Sequence, residues 1–130
     1  MELDKEKLKN FDKLPPDVRR QFSLLMNRYA EKKKQSKIKK DFMAFVKHVW
    51  PDFIEGKHHK EVAQKFNEIA DGKIKRVIIN MAPRHTKSEF ASYLLPAWMV
   101  GRNPKLKIIQ STNTTELSVR FGRKAKALMD

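Results

Sequence analysis

The stretch that most constrains the fold of this chain runs from Val77 to Leu95, "VIINMAPRHTKSEFASYLL". A β-branched apolar run breaks into a short polar turn, and Lys87-Ser88 then opens a segment of helical character. "KRVIINMA" is suited to a buried parallel strand. "KSEFASYLLPAWMV" follows as a helix, kinked or ended near Pro96. "NPKLKIIQSTN" reads as a turn and a second buried strand, Leu106 to Gln110. Asn113 with Glu116 three residues on resembles a capping box and starts a last helix, Thr114 to Met129. The second half therefore predicts strand–helix–strand–helix, a parallel α/β unit with a right-handed crossover. Two strands make a poor sheet, so the expectation is an incomplete one.

The first half predicts helices. Pro15-Pro16-Asp17 supplies a first-turn proline and an acid favourable to the helix dipole. Val18, Phe22, Leu25, Met26 and Tyr29 then recur at spacings of three and four as one apolar stripe. "EKKKQSKIKK", Glu31 to Lys40, is a basic hinge or exposed helical turn. Phe42, Phe45, Val46 and Val49 form a second stripe, ended by Pro51. After a loop containing Gly56 comes a third helix with Val62, Phe66 and Ile69 on one face. Gly72 sits where its C-terminal cap belongs.

At 130 residues the chain has one domain's worth of core. Its 29 Lys and Arg against 15 Asp and Glu give a net charge of +14, which favours polyanionic partners, nucleic acid or an acidic surface. With no cysteine, disulfides and thiolate metal sites are excluded and a reducing compartment is expected. The N-terminus has no apolar h-region, and no run approaches the roughly 18 apolar residues of a membrane span. The expected protein is soluble and cytoplasmic.

A phosphate-gripping loop reads G-x-x-x-x-G-K-[ST]: backbone N–H groups wrap the phosphates, the Lys reaches the outer ones, and the hydroxyl ligates Mg²⁺. Aligned on Lys87-Ser88, Met81 occupies the first glycine position and Thr86 the second, so both glycines are replaced. The context survives. The loop follows an apolar run and opens a helix, whose first turn favours an anion, and Arg84 and Lys87 add positive charge. The bland alternative is a solvated helix start with Pro83 as a turn former.

Taken together, "IKRVIINMAPRHTKSEFASYLLPAW" resembles the deviant Walker A segment of the large terminase subunits of tailed bacteriophages, whose loop often reads Pro-Pro-Arg-His-Gly-Lys-Ser. "HHKEVAQKFNEIADGKIKR" is similar to the helix before that segment, and "NPKLKIIQSTNTTELSVRFGRKAKALM" to the strand and helix after it. The resemblance covers about Phe42 to Asp130. It departs from the family at Ala82, where Pro is frequent, and at Thr86, where Gly is usual; a β-branched residue resists φ > 0, so Thr86 implies a loop that stays right-handed.

The resemblance implies an ATP-driven motor that packages viral DNA. The expected fold is α/β, a P-loop NTPase-type parallel sheet with flanking helices, incomplete in this chain. A basic N-terminal helical segment (1–40) would precede the N-terminal part of the ATPase domain (41–130). Lys87 would contact the β- and γ-phosphates, Arg84 would sense or stabilise the γ-phosphate, and Ser88 would ligate Mg²⁺. Backbone amides from His85 through Thr86 and Lys87 to Ser88 would cradle the phosphates of ATP. Implied partners are double-stranded DNA, the portal protein and the small terminase subunit, in a homo-oligomeric ring on the procapsid in the host cytoplasm. The acids that complete ATP hydrolysis, in a run ending Asp-Glu, and the nuclease domain are expected beyond Asp130.

Weaker features stand beside these. His58 and His59 fall where the family places its adenine pocket, with Trp50 to Phe53. Adjacent helical residues point about 100° apart, so a structural or purine-edge role is expected rather than metal binding. Gln110 to Thr114 ends the second expected strand on the side where a nucleotide would lie; its other reading, the favoured one, is a helix cap with exposed hydroxyls. Leu117, Phe121 and Leu128 are expected in the core, and Arg120, Arg123, Lys124 and Lys126 on a solvated face or, in a motor, along a DNA groove. Two other readings remain: a helicase-like P-loop ATPase, and a non-enzymatic basic module that binds nucleic acid.

Overall fold

The computed structural model describes residues 15–129. They form helices α1 (Pro16–Lys40), α2 (Phe42–Val49) and α3 (Lys57–Ala70), then α4 (Lys87–Glu89), a π-helical turn (Phe90–Leu94) and α5 (Leu95–Arg102) in unbroken succession, and α6 (Thr115–Ala127). The chain divides into two compact units after Ser36, inside α1. The basic stretch is helical up to Lys40, and α1 buries no side chain. Of its expected stripe, Phe22 and Met26 are half-buried, while Val18, Leu25 and Tyr29 are exposed.

In the second unit an aromatic cluster sets the packing. Phe42 meets Phe66, Phe90 and Trp98 edge-on, with ring centroids 5.1, 5.4 and 5.4 Å away, the arrangement that the ring quadrupoles favour. Met43, Val46, Ala63 and Leu94 complete the buried cluster. Trp98 donates its indole N–H to the Ile38 carbonyl at 2.8 Å, so the one polar atom of a buried ring is satisfied. Two polar side chains join α2 to α3. Asp41 caps α2 by accepting from the Ala44 N–H. Asn67 of α3 donates to Asp41 and accepts from the Phe42 N–H, both at 2.9 Å. At the far end of α3, Gly72 is left-handed (φ 73°). Its N–H reaches the Ile69 carbonyl and that of Lys73 reaches Glu68, which is a Schellman close.

The expected parallel sheet is overturned: among the described residues there is no strand. Neither apolar run is a buried strand. Ile78 is 90% exposed and Ile109 97%. Val77 and Ile79 are half-buried, Ile79 against the aromatic cluster. The physical reason is competition for the interior. The aromatic faces of α2, α3 and the 90–98 helical turns fill the core, and a strand without a ladder partner has nothing to hold it in place. The second unit is helical.

Two smaller corrections concern helix ends. The disturbance expected at Pro96 lies one turn earlier: Leu95 N–H bonds back to the Phe90 carbonyl, and this five-residue register shift absorbs the clash that a proline ring makes with the preceding turn. The helix then runs on to Arg102. The last helix is capped by Thr114, whose side chain accepts from Leu117 N–H, and not by Asn113. Its Leu117, Phe121 and Leu128 are half-buried rather than core.

Candidate phosphate-binding loop

The segment from Met81 to Thr86 leaves the half-buried run at Ile79 and turns back into α4. Pro83 to His85 are exposed, and His85 donates from Nδ1 to the Pro83 carbonyl at 2.9 Å. Arg84 and Thr86 both have positive φ, 64° and 55°. For residues with a Cβ this conformation costs on the order of 1–2 kcal/mol each. The expected right-handed loop is therefore corrected: Thr86 takes the left-handed conformation that glycine supplies at the same motif position. A left-handed residue followed by a helical one aims successive N–H groups into one concavity, a nest that binds anions. Here Thr86 is followed by helical Lys87 and Ser88, whose N–H groups belong to the first turn and have no intrahelical acceptor.

Lys87 and Ser88 are exposed at this helix start. The Lys87 ammonium turns back along the loop and donates to the Met81 carbonyl at 3.2 Å, which keeps its positive charge beside the loop. Lys87, Ser88 and the backbone of 85–88 thus come together. The Arg84 side chain is exposed beside them. Among the described residues no three His, Cys, Asp or Glu side chains cluster as a metal site. Ser88 offers a single hydroxyl. Such a donor set fits Mg²⁺ that arrives with nucleotide phosphates, which supply its other ligands, and does not fit a resident ion.

Behind the loop lies a set of contacts that spacing in the sequence does not reveal. His59 is buried between Phe53 and Phe90, with ring centroids 4.8 and 5.3 Å away. Its Nδ1 accepts the Gly56 N–H at 2.9 Å, so its own proton sits on Nε2. That atom lies 2.8 Å from Thr86 Oγ1 and 3.0 Å from His58 Nε2. Thr86 Oγ1 in turn donates to the His85 carbonyl at 2.7 Å. Burial, and then the neighbouring His58 and His85, push the His59 pKa down. A Cβ at Gly56 would stand 2.9 Å from the His58 ring, so a larger residue there would push that ring aside. Trp50 meets Phe53 at a tilt, 5.2 Å between ring centroids, and His58 faces His85 of the loop at 5.4 Å.

Comparison of the chain with protein-family models, curated proteins and solved structures gave no match.

Proposed function

We propose that the loop from Met81 to Ser88 holds the phosphates of a nucleoside triphosphate, and that the protein is an ATP-driven DNA-packaging motor of the large terminase kind. One observation carries this reading. Thr86, a residue ill suited to it, is left-handed at the position where a phosphate loop has its second glycine. Strain of this sort persists where the surrounding structure enforces it, and it concentrates at ligand sites.

In this reading the N–H groups of His85 to Ser88 cradle the phosphates. Lys87 exchanges the Met81 carbonyl for the β- and γ-phosphates, and Arg84 reaches the γ-phosphate. Ser88 holds Mg²⁺, which when bound with the nucleotide neutralises developing charge. The net charge of +14 supports a partner such as double-stranded DNA, gripped through its phosphates without sequence readout. Portal protein, small terminase subunit and a ring on the procapsid in the host cytoplasm are the partners and place that go with such a motor. Among the described residues no helix is long and apolar enough to cross a membrane.

Equilibrium binding of Mg-ATP to the chain and to Lys87→Ala tests the reading. A charged hydrogen bond contributes roughly 1.5–3 kcal/mol, so the variant should bind about ten- to a hundredfold more weakly with an unchanged circular dichroism spectrum. Equal binding by both proteins, with salt-sensitive DNA binding indifferent to ATP, would establish instead a basic module in which Lys87-Ser88 is incidental.

A further inference from the structure

We infer that His59 is a positioning residue for the loop: its neutral imidazole latches Thr86 in the left-handed conformation and so keeps the anion-binding concavity formed. The inference deepens the proposed function and rests on it wherever nucleotide is involved; the latch itself concerns only the protein.

Three contacts in series make the case. The Gly56 N–H donates to His59 Nδ1 at 2.9 Å, and the same nitrogen helps close the first turn of α3. The proton on Nε2 then points to Thr86 Oγ1 at 2.8 Å, and the Thr86 hydroxyl passes its own proton to the His85 carbonyl at 2.7 Å. Each donor has an acceptor, and the direction is fixed at its origin, because a backbone N–H can only donate. The chain of bonds thus ties the start of α3 to a loop 27 residues further along the sequence. At its end it fixes the side chain of Thr86, which with Arg84 is one of two among the described residues whose backbone departs from the conformation a Cβ prefers. Without the latch, Thr86 gains by relaxing toward negative φ, and the N–H groups after it turn out of the concavity.

The latch works in one protonation state. A second proton must go on Nδ1, where it would face the Gly56 N–H, donor against donor. The groups around His59 set when this occurs. His58 on α3 and His85 on the loop oppose a further positive charge, as do the apolar rings of Phe53 and Phe90; Glu55, held by Lys47 and near Lys60, favours it. His58 Nε2 lies 3.0 Å from His59 Nε2 and offers the same proton a second acceptor.

The experiment pairs ¹⁵N imidazole spectra and Thr86 chemical shifts, recorded from pH 5 to 8, with Mg-ATP binding over the same range. It compares the unaltered chain, His59→Asn, which keeps an acceptor near the Nδ1 position but loses the donor, and His59→Gln, which keeps a donor near Nε2. At pH 7 the His59 ring should be the Nε2–H tautomer. As its protonation proceeds, Thr86 backbone shifts should move toward right-handed values and Mg-ATP affinity should fall by about tenfold, the equivalent of one hydrogen bond of the stronger kind. His59→Asn should show the shifted Thr86 and the weaker binding at every pH, while His59→Gln should restore both within about threefold and remove the pH dependence.

An Nδ1–H tautomer at pH 7, or Thr86 shifts identical in the unaltered chain and in His59→Asn, overturns the latch. Failure of every protein to bind Mg-ATP, with Thr86 shifts that follow His59 as described, leaves the latch established and removes the nucleotide reading alone.

Discussion

Thr86 concentrates the physical conflict of this chain in one residue. Its backbone is strained, yet its hydroxyl is bonded on both sides, to His59 Nε2 and to the His85 carbonyl. Two substitutions separate these effects. Thr86→Val keeps the Cβ branch at φ > 0 and strips both bonds, leaving the buried His59 N–H only the His58 nitrogen as acceptor, so it should destabilise the protein by about 1–3 kcal/mol. Thr86→Gly loses the same bonds but releases the strain, so its change should stay within about 1 kcal/mol. Urea denaturation of the two variants would show the order; equal losses would mean that the left-handed backbone carries no strain. His59 gives a second residue-scale expectation. Its folded pKa is depressed, so protonation favours the unfolded chain. Its stabilising contribution is full above the ordinary imidazole value of about 6.5 and is lost as pH falls below it. Glu55, beside Lys47, and Asp71, beside Arg102, are also depressed; theirs is present above the ordinary carboxylate range and lost below it. Unfolding free energy should therefore fall on acidification in two windows, and His59→Asn should erase the upper one. At this scale Lys87, Ser88 and Gly72 were legible in the sequence, because cap and helix-start chemistry is local. The His59–Thr86 contact was not. Nothing in the spacing of two residues so far apart marks them as neighbours.

Among the elements, the helices of the second unit are joined by a few polar contacts as well as by rings. Asn67 holds the start of α2 through Asp41 and the Phe42 N–H. Asn67→Ala would leave both without their partner, and a loss of about 1–3 kcal/mol is expected in thermal or urea unfolding. A loss below about 0.5 kcal/mol would show that water takes its place. Arg102, at the end of α5, pairs with Asp71 at 2.9 Å and lies over the Trp98 ring at 4.8 Å, tying that helix end to the close of α3. The existence of α2 and α3 followed from apolar spacing, because amphipathic periodicity is written into the chain, and that of α6 from its capping-box-like start. The π-helical turn ahead of Pro96 did not, since proline specifies that a helix must adjust without saying where. The cap at Thr114 was displaced by one residue because Asn113, Thr114 and Thr115 are all acceptable cap residues, or close to it. Packing of α6 chooses among them.

For the molecule as a whole, the two β-branched runs make the difference between expectation and structure measurable. Were Ile78 and Ile109 buried in a sheet, replacing each with Ser would cost several kcal/mol. Exposed as they are, Ile78→Ser and Ile109→Ser should each change stability by no more than about 0.5 kcal/mol, a result that denaturation curves would give directly. A large loss would restore the buried-strand view. Short-range chemistry governs the features that could be read from the chain alone. It set the helical stripes, the glycine close of α3, the Lys-Ser helix start, and the positive charge that points to a polyanion. The tertiary structure alone decided which apolar segments became core. Aromatic side chains from α2, α3 and the 90–98 turns bury more surface and satisfy each other's geometry. The β-branched runs need ladder partners to compete, and among the described residues none is present. It also decided the loop. Thr86 is held where glycine would sit because a histidine from another helix reaches it, and no local preference of the chain contains that contact.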